Sequence, residues 1–206
     1  MNKKVGIQGG KGSFNHQGWL KYANEHNLND FEIQFLHTTK NVLSSLENRE
    51  IDLGQFGIYN TLGGLVEETA AELGKYKFEI TDWYRFPIAH FLMRKKKAGN
   101  SDIKKIMAHP QGFKQCKLNI QKLFPDLEKI IGTGEMIDHA KIAEELSKDK
   151  LGDDIAVIGP EILAENYGLE IMAKNLQDDT QNFTTFVIVQ KYSSNILSKS
   201  HPKSSG

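Results

Sequence analysis

Short runs of alternating apolar and polar residues trade places with stretches of helical apolar spacing along most of the chain, which predicts strands and helices in succession. Lys4-Val5-Gly6-Ile7-Gln8 is read as a short strand, followed by glycine-rich Gly9-Gly10-Lys11-Gly12 and a helix with Ser13 as its N-cap. Residues 31–37 alternate with period two and form a second strand. Thr38 or Thr39 then caps a helix carrying Val42, Leu43 and Leu46 on one face. Residues 51–58 are a third strand and 62–73 a third helix. Residues 78–93 are extended, interrupted at Pro87, which breaks a ladder or marks a crossover.

The second half repeats the alternation. Residues 105–108 form a strand, and 111–124 a helix whose Phe113, Cys116, Ile120, Leu123 and Phe124 line one face. A short strand precedes Gly132, a helix spans 137–148, and 154–158 is another strand. Pro160 suits the first turn of a helix, 169–173 is a short strand, and 183–190 is a returning β-branched apolar run. From Tyr192 the serine, lysine and proline content reads as a disordered tail.

Strands alternating with helices predict an α/β protein, with mixed, mostly parallel sheets covered by helices. Two such halves and a late returning strand divide the chain into two lobes around a central cleft. Residues 1–88 plus 176–191 make lobe I, residues 89–175 lobe II, and 192–206 the tail. Ligands in such folds sit at strand carboxyl ends and helix N-termini, so the cleft is expected near residues 9–13, 59–64 and 109–111.

Charge narrows the function classes. The 26 basic and 26 acidic side chains cancel, so no global field draws the chain to nucleic acid or a membrane surface. The run Arg94-Lys95-Lys96-Lys97 precedes a turn-like Ala-Gly-Asn-Ser-Asp and is read as a solvated loop. One cysteine, Cys116, excludes an intramolecular disulfide. No segment approaches ~18 continuous apolar residues, so a cytoplasmic protein without a membrane anchor is expected. The seven histidines show no His-x-x-x-His pairing, which speaks against a zinc site.

The glycine cluster after the first strand is not a P-loop, because Gly-Lys is followed by another glycine. It also lacks the third glycine of a dinucleotide fingerprint, since Asn15 stands there. An anion-binding turn and a plain tight turn both remain open for it. Asn60 and Thr61 sit at a strand-to-helix turn, where they can cap the helix or meet a ligand. His109-Pro110-Gln111, with Gln115 one turn on, places hydrogen-bonding groups at another strand end. Cys116 falls on an apolar face, as a buried and inert thiol would.

Several stretches taken in order resemble the prephenate dehydratase catalytic domain. They are residues 9–14, Asp52-Leu53-Gly54 leading into Asn60-Thr61 and Gly64, Phe86-Pro87-Ile88-Ala89-His90, Ala108-His109-Pro110-Gln111 with Gln115-Cys116, Tyr167-Gly168-Leu169, and Asn182-x-Thr184-x-Phe186. The resemblance covers about residues 4 to 190. It implies a two-lobed fold similar to type 2 periplasmic binding proteins, a small carboxylate substrate in the cleft, and a homodimer. It also implies conversion of prephenate to phenylpyruvate, with loss of carbon dioxide and the ring hydroxyl and with no metal or organic cofactor. On the same basis Thr184 is the catalytic threonine implicated in hydroxyl departure, and Ser13, Asn60, Thr61, His109 and Gln111 are substrate-binding.

The chain departs from the family pattern at three places. Thr185 stands where a substrate-clamping arginine is expected, Tyr59 replaces a glutamate, and too few residues follow 190 for the phenylalanine-binding ACT domain. A buried carboxylate without its cation typically costs roughly 3–5 kcal/mol. The chain has only three arginines, Arg49, Arg85 and Arg94. Arg85 is the expected substitute, with Lys11 second. Two further readings stay open: a relative that decarboxylates prephenate without aromatising it, and a two-lobed module that binds a small carboxylate without turnover.

Overall fold

A computed structural model describes residues 2–96 and 103–193. The end of the basic run at Lys97 and the expected tail from residue 194 lie outside the described residues. The first part of the chain forms β1 (Lys3–Ile7), α1 (Phe14–Glu25), β2 (Phe31–Phe35), α2 (Thr39–Glu47), β3 (Leu53–Asn60), β4 (Gly64–Leu65), α3 (Glu67–Leu73) and β5 (Phe78–Pro87). The second part forms β6 (Phe91–Lys95), β7 (Lys105–Ala108), α4 (Pro110–Gln115), α5 (Lys117–Leu123), β8 (Glu128–Ile131), a 3-10 turn (Gly134–Ile137), α6 (His139–Ser147), β9 (Ile155–Gly159), α7 (Ile162–Tyr167) and β10 (Leu169–Ala173). The chain then returns as β11 (Phe183–Lys191).

Two mixed sheets result. The first runs β2-β1-β3-β11-β5, with β4 paired to β3, and the second runs β10-β6-β9-β7-β8. Each packs helices on its faces, and the sheets meet across one cleft, as the two-lobed α/β architecture expected from the sequence requires. Parallel pairing is less dominant than the strand–helix alternation predicts. Four of the nine described pairings are parallel and five antiparallel. The antiparallel pairings come from β11, which inserts between β3 and β5, from β6, which lies between β10 and β9, and from the short β4 on β3.

Period two along β11 distributes the core of the first lobe. Val187 and Val189 face α2 and meet Val42, Leu43, Leu46 and Phe56. Ile188 points to the other face and meets Trp19, Tyr22 and Ala23 of α1. In the second lobe Met93, Val157, Ile142 and Leu146 lie on one face of the sheet, and Leu92, Ile106, Ile158 and Ile120 on the other. Leu176 packs into this second core, and Asp178 caps α5 by accepting from the Leu118 and Asn119 amides.

Other boundaries move for identifiable reasons. The helix expected over 62–73 begins only at Glu67, because the Asn60 side chain takes the Leu62 and Gly63 amides and Gly64, at φ 71°, turns the chain back onto β3. The helix expected over 111–124 breaks at Cys116, where Asp178 starts a new helix, and this leaves Leu123 exposed rather than on the shared apolar face. Pro160 precedes the N-cap Glu161 instead of entering the first turn of α7. Arg94 and Lys95 belong to β6, not to a loop. Arg94 pairs with Glu170, and the nearly buried Lys95 pairs with Asp149 and Asp153, so neither is offered to a polyanion.

Candidate functional site

The carboxyl ends of β1 and β3, the starts of α1, α4 and α6, and the entry to β11 converge on a cleft of about 590 Å³, its open mouth included. The first lobe contributes Gln8, Ser13, His37, Asn60 and Glu68, the second contributes His109, Gln111 and Asp138, and Thr184 comes from β11. Gly9 makes the first turn possible. Its φ is 105°, and a Cβ there would stand 2.6 Å from the Ser13 hydroxyl, which caps α1 by accepting from the His16 amide.

Asn60 organises the floor of the cleft. Its Oδ1 accepts from the Leu62 and Gly63 amides at 2.9 and 2.7 Å, which fixes the orientation of the side-chain amide. The two hydrogens of its Nδ2 are then shared among Asn182 Oδ1 at 2.7 Å, the Phe183 carbonyl at 3.1 Å and Thr184 Oγ1 at 3.1 Å. Asn182 Nδ2 donates in turn to Gln115 Oε1 at 2.8 Å. Because Thr184 Oγ1 is an acceptor here, its own O–H is left to point at something else in the cleft. Thr184 itself is buried.

The same logic sets three histidine tautomers. Gln115 Oε1 is an acceptor, so His90 donates to it through Nε2–H at 2.8 Å and keeps a bare lone pair on Nδ1, which is buried and has no partner. His139 donates Nδ1–H to the Ile158 carbonyl. His109 Nδ1 accepts from the Gln111 amide at 2.9 Å, and its Nε2–H faces Glu68 at 3.8 Å. Burial pushes His90 down to about 4 and holds His139 well below the usual imidazole range. Both titrate at the ordinary value in the unfolded chain, so that chain binds more protons between about pH 6.5 and 4, and stability falls as pH falls through that window. His90 alone accounts for about 3 kcal/mol of this loss. A marked drop in the urea midpoint between neutrality and about pH 4 is the expected result.

Asp138 crosses the cleft. It caps α6 through the Ala140 and Lys141 amides and also accepts from the Gly10 amide at 2.7 Å and from His37 Nδ1 at 2.9 Å, both in the first lobe. Its hydrogen bond raises the pKa of His37. The sign here is opposite to that of the buried pair. The His37 contribution is complete below the ordinary value of 6.5 and is lost as pH rises through the raised folded value. A His37→Gln variant is therefore expected to flatten the alkaline side of the urea-midpoint profile while leaving its acid side unchanged.

The structure brings together Ser13, Asn60, His109, Gln111 and Thr184. It does not bring Thr61, Arg85 or Thr185 to the cleft. Thr61 Oγ1 donates to the Gln181 carbonyl and accepts from the Phe183 amide, pinning β3 to the returning chain. Thr185 points to the opposite face of β11 from Thr184, as strand alternation requires, and lies in register with Arg85 and Tyr59. The exposed Arg85 guanidinium rests 4.8 Å from the centre of the Phe183 ring. The cation expected at Arg85 is thus outside the cleft, and Lys11 is exposed. Among the described residues no lysine or arginine lines the cleft. Gln8, His37, Glu68 and Asp138 were not singled out from the sequence. Asp138 ahead of an apolar helix carries an N-cap signal, whereas His37, at φ 62° after β2, carries none.

The description "Prephenate dehydratase" belongs to the family model that matches residues 5–194. The chain belongs to the prephenate dehydratase family. A bifunctional chorismate mutase/prephenate dehydratase of Buchnera aphidicola is 33% identical over 89% of this chain and 46% of its own length, and a prephenate dehydratase of Methanocaldococcus jannaschii is 28% identical over 98% and 69%. The chain spans about half the length of the bifunctional relatives it matches. A prephenate dehydratase structure from Arthrobacter aurescens, solved with L-Phe, superposes with a TM-score of 0.73 at 21% identity, over 93% of this chain and 61% of that one; the likeness shows the shared fold. Among the described residues of this prephenate dehydratase family member, no cluster of three or more His, Cys, Asp or Glu side chains could hold a metal ion, and no helix is long and apolar enough to cross a membrane.

Proposed function

We propose that the chain is a cofactor-independent lyase that converts prephenate to phenylpyruvate, with Thr184 as the proton donor to the departing ring hydroxyl. The observation that carries this reading is the Asn60–Thr184 contact. Asn60 Nδ2 occupies a lone pair of Thr184 Oγ1, so the hydroxyl enters the reaction as a donor. In the reaction the bond from the ring to the carboxylate breaks and its electron pair completes the aromatic ring. The carbon–oxygen bond to the hydroxyl breaks as carbon dioxide leaves, and the hydroxyl departs as water with the Thr184 proton. Water then reprotonates the Thr184 oxygen. A donor placed at the leaving group contributes typically ~10²–10⁴ in rate. Asn60 hydrogen-bonds the developing charge on Thr184, and the amide groups at the start of α1, beside Ser13, offer dipoles to a substrate carboxylate. Gln111 and His109 shape the opposite wall.

On the same reading the two lobes close over the substrate about the crossings at residues 88–90 and 179–182, the protein acts as a homodimer, and it works in the cytoplasm. Incubation of the pure protein with prephenate is the test. Phenylpyruvate, seen by its absorbance in alkali, is the expected product. Carbon dioxide with a non-aromatic dihydro-hydroxyphenylpyruvate, or saturable binding without turnover, would replace this reading by one of its alternatives.

A further inference from the structure

Four histidines line the cleft, and the hydrogen bonds around three of them leave no N–H to spare. His90 spends its proton on Gln115 and His139 spends its own on the Ile158 carbonyl, so each keeps only a lone pair. His109 accepts at Nδ1 and turns its Nε2–H toward Glu68. His37 differs from all three. Its Nδ1 lies 2.9 Å from Asp138 Oδ2, and its Nε2 meets no partner among the described residues. The His37 side chain is 20% exposed against 4% for Asp138, so the ring is held at one nitrogen and open at the other.

The hold is firm. Asp138 is itself anchored by the Gly10, Ala140 and Lys141 amides, which fixes the oxygen that meets the ring. Gly10 allows the close approach, since a Cβ there would stand 3.1 Å from His37 Cε1. The ring therefore rests on the glycine turn, beside the amides that open α1. The bond from Asp138 raises the pKa of the ring; burial opposes it, the charges of Asp138 and Glu135 add to it, and that of Lys141 opposes it. Glu68 and His109 face the same cleft. A substrate carboxylate leaving water for this cleft needs a positive partner, and no lysine or arginine among the described residues lines it.

We propose that His37 is the cation of this cleft: held by Asp138, its imidazolium donates Nε2–H to a carboxylate of the substrate, the task for which position 185 carries no arginine. The identity of the ligand rests on the lyase reading above; the anion site itself does not. A carboxylate bound at Nε2 stabilises the charged ring, so binding takes up a proton wherever the free ring is neutral. As pH rises through the raised value the donor is lost and affinity falls.

Calorimetric titration of the Thr184→Val protein with prephenate, in buffers of differing ionisation heat, counts those protons. Uptake is expected to be small at about pH 6.5 and to grow toward one by about pH 8.5. His37→Gln in the same background should bind about tenfold or more weakly at the lower pH, with no uptake at either. Were His37 only a bridge between the lobes, that variant would lose stability yet keep uptake and affinity, and this result overturns the proposal. Absence of uptake in the parent overturns it too, as does failure of prephenate to bind. If His37→Gln does not fold, Asp138→Asn takes its place. It can still cap α6 through the Ala140 amide, but it removes the counter-charge of the ring. Affinity should then begin to fall at a lower pH than in the parent, and an unmoved profile is equally fatal. Turnover of prephenate by the unaltered protein, read as phenylpyruvate, tests the lyase reading separately. There KM should rise with pH while kcat moves little. Proton-linked binding without turnover would sink the lyase reading and leave the His37 site standing.

Discussion

Replacing Thr184 by valine is expected to lower kcat for the aromatising reaction by about 10²–10⁴ while changing KM little, because the donor to the leaving hydroxyl is needed in the transition state and not for binding. The change is close to isosteric. The Thr184 methyl faces Gly57, where an added Cβ would stand 3.3 Å away, so valine fits the same slot. Asn60 Nδ2 loses one of three acceptors and keeps Asn182 Oδ1 and the Phe183 carbonyl. The stability cost should therefore stay near ~1 kcal/mol. Thr184→Ser retains the hydroxyl and is expected to restore most of the rate. Stopped-flow or alkaline absorbance assays of the three proteins decide the point. Wild-type kcat in the valine variant would remove Thr184 from the chemistry.

Asn60→Ala should have the largest effect on stability. The side chain meets five partners: its Oδ1 accepts from the Leu62 and Gly63 amides, and the two hydrogens of its Nδ2 are shared among Asn182, Phe183 and Thr184. It is 1% exposed, so water does not readily replace them. Alanine leaves buried donors and acceptors unpaired on both β3 and β11 and frees the amide relay that fixes His90. A loss of roughly 3–5 kcal/mol is expected, at the upper end for a single change. Urea unfolding measures it, and a loss below ~1 kcal/mol would show that the network is not coupled to the fold. Asn60→Asp tests the relay separately, since a carboxylate still accepts from Leu62 and Gly63 but cannot donate to Asn182 or Thr184.

Much of this site was legible in the sequence because its residues sit at element ends that local chemistry marks. Ser13 follows a glycine turn and precedes an apolar helix, so its N-cap role needed no tertiary information. His109-Pro110 announces a helix start, and His109 does cap α4 through Nδ1. Thr184 and Asn60 were placed by resemblance, and the pairing of β3 with β11 sets them directly across from one another. What could not be read depends on tertiary partners. The break at Cys116 depends on Asp178, far along the chain, and the late start of α3 depends on which atoms Asn60 captures. A buried carboxylate calls for a cation, and the sequence offers Arg85 for it. Alternation along β5 and β11 puts Arg85 and Thr185 on the outer face instead, and the charges that do reach the cleft include Glu68 and Asp138.

The central position of β11 has a consequence for how the protein is made. During synthesis the amino-terminal half emerges with β3 and β5 already complete, yet the gap between them stays open until residue 191 has cleared the ribosome. The second sheet draws its strands from one continuous segment and can close earlier. A chain truncated after residue 182 should thus protect β6 to β10 against protease while β3 and β5 keep bare facing edges, and Thr184 arrives with the very strand that fills the first sheet.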